Sequence, residues 1–128
     1  MDTEKVKDYW IVESEYDLKV AWDTFNAGNY SYALFFGHLV LEKILKAIYV
    51  DRKKEHAPFI HNLLKLAEIS EISIDQAQKD ALNEITRFNL ESRYPDDKKS
   101  FRKECTEDFT RKWLNVIEEI YKWLKSML

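Results

Sequence analysis

From Tyr30 to Val50 the chain is apolar except at Ser31, His38, Glu42, Lys43 and Lys46, and those five positions fall on one side of a helical wheel. A helix of this kind, drawn from about Asn29 to Asp51, has too wide an apolar surface for one neighbour and must be covered on more than one flank. It is therefore the centre of a helical bundle, or a helix shared between a bundle and a second subunit. Two glycines and two prolines in 128 residues leave few places for the turns of an all-β fold. A balance of 45% apolar and 34% charged residues suits long amphipathic helices instead. One domain spanning 1–128 is expected, all-α, built as an up-and-down four-helix bundle with one additional short helix.

The remaining helices follow from period and punctuation. The first is expected from about Glu4 to Ala27, with Ile11, Leu18, Trp22 and Phe25 on one stripe and Tyr9, Tyr16 and Val20 beside it. Gly28 closes it from a left-handed position. Arg52 to Pro58 reads as a polar loop and Phe59 to Ile69 as a short third helix. Ser73-Ile-Asp-Gln76 has the form of a capping box, with Ser at N-cap and Gln at N3, and opens a fourth helix that Pro95 stops near Ser92 to Tyr94. The last helix is expected to start between Asp97 and Phe101 and to reach the C-terminus. Its stripe is Cys105, Phe109, Trp113, Val116, Ile120, Leu124 and Met127.

Charge is distributed unevenly. The chain has a formal charge of −3, yet from Arg87 to Lys103 six cations (Arg87, Arg93, Lys98, Lys99, Arg102, Lys103) meet three anions (Glu91, Asp96, Asp97), leaving this segment at +3 and the remainder at −6. A basic island that also holds Tyr94 suits a phosphate-bearing ligand; a solvated helix junction is the plainer reading of the same residues. A last helix that begins at Asp97 to Phe101 crowds Lys98, Lys99, Arg102 and Lys103 onto the positive end of its macrodipole, an arrangement that an anion would relieve. Glu42 and Lys46 lie one turn apart in the favourable orientation for an ion pair. They read either as a weakly stabilising surface pair or as a strip facing Arg87 and Arg93, where Lys46 joins the anion site.

Other chemistry is sparse. His56 and His61 lack the cysteine partners, or the i, i+4 helical spacing with a glutamate, that zinc sites use, so neither a metal site nor a cofactor is expected. No glycine-rich phosphate loop and no nucleophile elbow is present, and Glu118-Glu119 and Asp96-Asp97 read as solvated helix ends. The single cysteine, Cys105, excludes an internal disulfide and fits a reducing compartment. The apolar runs fall short of the roughly 20 residues that span a bilayer, and the start, Met-Asp-Thr-Glu-Lys, has no signal-peptide pattern. A cytoplasmic protein without membrane contact is expected.

Three stretches carry a family likeness: Tyr32-Ala-Leu-Phe-Phe-Gly-His-Leu-Val-Leu-Glu-Lys-Ile-Leu-Lys-Ala47, then Ile60-His61-Asn62-Leu63-Leu64, then Glu91-Ser-Arg-Tyr-Pro-Asp96. In this order and spacing they resemble the HEPN domain (higher eukaryotes and prokaryotes nucleotide-binding), over about Asp8 to Leu124. The resemblance implies a four-to-five-helix bundle, a homodimer, and a minimal nucleotidyltransferase as partner in a two-gene toxin–antitoxin pair. Many members of that family are metal-independent ribonucleases that use an arginine, four to six residues, then a histidine often followed by x-Tyr. Laid on this chain, Arg87 takes the arginine place and Tyr94 the tyrosine place, while Ser92 stands where the histidine would be.

That departure bears on chemistry. Cleaving RNA without a metal needs a group that titrates near neutrality, which a serine hydroxyl does not, and Arg93, always protonated, can only stabilise charge. The catalytic candidates are Arg87, Ser92 and Tyr94. The nucleotide- or RNA-binding set is Arg87, Arg93, Tyr94, Lys98, Lys99, Arg102 and Lys46. The favoured reading is a nucleotide- or RNA-binding subunit with little or no catalysis. A metal-independent ribonuclease toxin and a purely structural helical homodimer are the alternatives, and in the resemblance Tyr94 is the kind of hydroxyl that a partner nucleotidyltransferase adenylates.

Overall fold

The computed structural model describes residues 2–128 and holds six helices: α1 (Thr3–Asn26), α2 (Tyr30–Lys53), α3 (Leu63–Ile69), α4 (Gln76–Thr86), α5 (Pro95–Glu104) and α6 (Glu107–Lys125). Among the described residues there is no strand. Side-chain caps fix the helix starts: Asp2 accepts from the Lys5 amide, Asn62 from that of Lys65, and Thr106 from that of Phe109. Gly28, at φ +83°, turns the chain between α1 and α2.

The bundle is organised around α2. Ala33, Leu34, Val40, Leu41, Ile44, Leu45, Ala47 and Ile48 are all buried, and among its large apolar residues only Tyr32 is exposed. Of the two places expected for this helix it takes the centre of the bundle, since its apolar surface is covered within the chain by α1, α6 and α3. α6 runs antiparallel to α1, since the Arg111 guanidinium sits over Phe25, Trp22 Nε1 donates to Glu118 at 3.1 Å, and Lys125 reaches Glu15 at 2.6 Å. Gly37 lets α6 approach closely: a Cβ there would lie 2.7 Å from Ile117 Cδ1 and 3.3 Å from Leu114 Cδ2. Two polar residues of α1 point inward: Asp17 is ion-paired with Lys43 at 2.7 Å, and Ser14 lies 3.2 Å from the Tyr121 hydroxyl and donates to the Ile11 carbonyl at 2.6 Å.

Four boundaries differ from the sequence-based expectation, each for a local reason. The third helix begins at Leu63, not Phe59, because Asn62 is its cap and the carbonyl of His61 is bonded to His38. The capping box of α4 is Asp75 with Gln78, two residues after Ser73 with Gln76; that phase carries Leu82 and Ile85 into the core. α4 then stops at Thr86, whose hydroxyl bonds back to Leu82 O and accepts from the Leu63 amide. Phe88 turns inward, and a single 3-10 turn, Leu90–Ser92, capped by Asn89, separates α4 from α5. The expected last helix is two helices: Pro95 opens α5 at its first position, Cys105 leaves the helical region at ψ 76°, and Thr106 restarts the chain as α6.

That division reverses one electrostatic expectation. With α5 starting at Pro95, Asp96 and Asp97 occupy its first turn and Arg102 and Lys103 its last. Of the four cations, Arg102 and Lys103 thus move to the favourable end of the macrodipole, and Asp96 and Asp97 stand ahead of Lys98 and Lys99 at the other, so the helix itself requires no anion.

Candidate functional site

The two arginines singled out by the sequence are occupied by the protein. Arg87 caps the C-terminus of α4 and makes ion pairs with Glu84 and, at 3.2 Å, with Glu104. Arg93 donates from Nε to the Arg87 carbonyl at 2.9 Å and from Nη2 to the same oxygen, while its guanidinium lies 4.4 Å from the centre of the buried Phe101 ring. Together they fasten α5 to the end of α4. Ser92 donates to the Asn89 carbonyl at 3.0 Å, closing the 3-10 turn. Arg87 and Ser92 therefore do not share one helix, although the fourth helix was expected to run on to Ser92–Tyr94.

What remains free is one face of α5. Lys98, Lys99, Arg102 and Lys103 are exposed, and among the described residues none of the four makes an ion pair. Tyr94, just before α5, is 79% exposed. Arg102 also borders a cavity of about 300 Å³ lined by the Gly28–Tyr32 turn and Cys105. Burial, reinforced by Glu104, pushes the Cys105 thiol up to about 12, so it stays protonated and inert near neutrality.

Lys46 lies elsewhere. It is buried, 3.1 Å from Glu42 and with its Nζ between the rings of Trp10 and Phe59. α5 instead meets the start of α2, where Arg102 and Cys105 lie beside Tyr30 and Ser31. Lys46 thus leaves the α5 cations and joins a cluster that the sequence did not single out. Glu42 accepts from His61 Nδ1 at 2.8 Å, and His38 Nε2 donates to the His61 carbonyl at 2.9 Å. Burial holds the His38 imidazole below its usual 6.5, although the His61 carbonyl and Glu42 act in the opposite sense. His38, Glu42 and His61 do not converge on one point, and among the described residues no group of three His, Cys, Asp or Glu side chains is placed to hold a metal ion. The signal available in the sequence was a histidine and two charges on the polar strip of an otherwise apolar helix. Their partner His61, 19 residues beyond Glu42, came only with the fold.

No curated protein matches the chain significantly. Among solved structures, the crystal structure of TT1696 from Thermus thermophilus superimposes with a TM-score of 0.79 over 95% of this chain and 98% of that one, at 17% identity. That likeness is one of fold. The family model described as the HEPN domain matches residues 8–127, nearly the whole chain, and the chain therefore belongs to the HEPN family.

Proposed function

We propose that this HEPN chain binds RNA, or the phosphates of a nucleotide, through the exposed face of α5. The observation that carries the reading is the set of four exposed cations without ion-pair partners, Lys98, Lys99, Arg102 and Lys103, beside an exposed tyrosine on a chain of net negative charge. Charges of one sign held unpaired on one helical face repel each other, and a polyanion relieves that repulsion while its bases stack on Tyr94. Arg87 and Arg93 contribute by holding the helix in place. With Ser92 at the histidine place and bonded into its own turn, this end of the molecule binds more than it cleaves. The resemblance adds a homodimer and a minimal nucleotidyltransferase partner of toxin–antitoxin type, for which the exposed Tyr94 hydroxyl is an accessible acceptor.

The test is fluorescence anisotropy with a labelled single-stranded RNA. Reversing Lys98, Lys99, Arg102 and Lys103 to glutamate should abolish binding while thermal unfolding stays within a few degrees of wild type. In the wild type, log affinity should fall against log salt with a slope of about −0.7 for each phosphate neutralised. Unchanged affinity in the reversed variant sinks the proposal. Rapid cleavage of the RNA by wild type, lost in Arg87→Ala, favours the ribonuclease alternative.

A further inference from the structure

The start of α2 holds a good capping residue that does not cap. Asn29 stands at the N-cap, a position asparagine favours, yet its side chain makes no bond to the helix, whereas Asp2, Asn62, Asp75 and Thr106 cap α1, α3, α4 and α6. The Asn29 amide is taken by the Thr24 carbonyl, and the Ala33 amide by the Asn29 carbonyl. Between them the amides of Tyr30, Ser31 and Tyr32 have no partner among the described residues.

That end of the helix opens on the cavity of about 300 Å³ between the Gly28–Tyr32 turn, Arg102 and Cys105. Ser31 is the residue that points to a ligand. It is only 6% exposed, it lines the cavity, and its hydroxyl has no hydrogen-bond partner among the described residues. A buried hydroxyl without a partner costs stability unless something outside the chain supplies one. Arg102 borders the same space from α5 and makes no ion pair among the described residues. No acidic side chain lines the cavity, and the Cys105 thiol is held protonated, so nothing there opposes a negative charge.

We infer that this cavity binds the carboxylate of a small organic acid. Arg102 is the one charged side chain in the lining, and together with the positive end of the α2 macrodipole it balances a monoanion; a dianionic phosphate would keep a charge without a partner. A planar head of two oxygens suits the guanidinium fork, and its lone pairs accept from the Ser31 hydroxyl and the free amides. The volume exceeds that of a carboxylate and reaches the lower end of small-molecule sites, which leaves the space beside Tyr30 and Tyr32 for the body of the acid. A polypeptide C-terminus carries the same group, and the experiment separates the two sources. Every donor except Arg102 belongs to α2, so the site does not depend on RNA binding by the α5 face.

Sodium benzoate and sodium acetate are the probes, followed by the backbone amide resonances of isotopically labelled protein and by calorimetry. Both acids should shift the amides of Tyr30, Ser31 and Tyr32 saturably, benzoate at the lower concentration, and inorganic phosphate at equal ionic strength should not. Ser31→Ala should weaken benzoate about tenfold while its unfolding midpoint equals or exceeds that of wild type, because the hydroxyl removed had no partner. A serine with a merely structural role would lose stability instead. Arg102→Gln should weaken benzoate by about tenfold or more, and Arg102→Lys, which keeps the charge but not the fork, by less. The inference is overturned if neither acid moves the three amides, if phosphate binds more tightly than benzoate, or if Ser31→Ala and Arg102→Gln both bind as wild type does. A short peptide that outcompetes benzoate through a free C-terminal carboxylate, and fails to when amidated, overturns the small acid as occupant. Ser31→Ala should leave RNA affinity unchanged and Lys98→Gln with Lys99→Gln should leave benzoate affinity unchanged, so failure of this site and failure of the α5 reading are told apart.

Discussion

His38 lies wholly inside the bundle, with Nδ1 making no hydrogen bond and Nε2 donating to the carbonyl of His61. A carbonyl only accepts, so Nε2 of His38 carries a proton, and burial lowers the pKa of the ring below the ordinary 6.5, favouring the neutral form. The sign of the pH dependence follows. Above about pH 6.5 both states are neutral and stability is complete; as pH falls below that value the unfolded chain takes up the proton first, and stability declines until the folded pKa is passed. Urea midpoints should therefore drop between pH 7.5 and pH 5. In His38→Gln, which keeps a donor for the carbonyl but cannot titrate, that drop should be smaller. An identical slope in the two proteins would place the titration elsewhere.

At the scale of elements, the join between α4 and α5 rests on a short list of contacts. Phe88 is fully buried, stacked on Phe101 at 5.5 Å and met edge-on by Phe109 and Trp113. Phe88→Ala should cost about 3–5 kcal/mol in chemical unfolding, as expected for removing a phenyl ring from a packed core. Arg93 covers the outer side of the same aromatic group. Arg93→Ala should cost about 1–2 kcal/mol through lost charge-assisted bonds and ring contact. Reversal of Lys98 and Lys99, which touch no partner of opposite charge, should leave unfolding almost unchanged. Equal losses for Arg93 and the two lysines would contradict the division into clamp and binding face.

For the whole molecule, the outer face of α1 carries a run of exposed apolar residues. Tyr9, Val12 and Tyr16 are 56%, 62% and 64% exposed and follow one another at steps of three and four, so they line one face. This stripe, and not α2, is the apolar surface available for the proposed homodimer. Light scattering at micromolar concentration should give the mass of two chains, and Val12→Glu with Tyr16→Lys should give the mass of one without lowering helix content. A single-chain mass for the wild type would remove the homodimer. Gly37 constrains the packing inside each subunit: Gly37→Ala sets a helix-propensity gain of about 1 kcal/mol against the close approach of Ile117. Gly37→Leu, with no room at all, should drive α6 away from α2.

Much of this protein was legible in its residues. The apolar span from Tyr30 to Val50 named the central helix because the breadth of an apolar face is a local property, visible in one dimension. The stripe of the last helix was read off its centre: Cys105 and Leu124 are buried, Phe109, Trp113, Val116, Ile120 and Met127 are half-buried, and the buried face runs through Thr110, Leu114, Ile117 and Tyr121, because the helix packs on α2 along that line. The turn at Gly28, an equally local signal, was legible. The starts of α4 and α6 were not, since several capping residues compete within a few positions and the core selects among them: Leu82 and Ile85 favour Asp75 over Ser73, and burial of Phe101 and Cys105 leaves Thr106 as the place to restart. The roles of the charged residues depended most on tertiary structure. A cation count gave Arg87, Arg93 and Lys46 the same meaning as Lys98 or Arg102. Only the fold set Arg87 against Glu104 and Arg93 against Phe101, left Lys98, Lys99, Arg102 and Lys103 without ion-pair partners, and brought His61 onto Glu42, because charge is a property of a residue and its partner a property of the chain folded on itself.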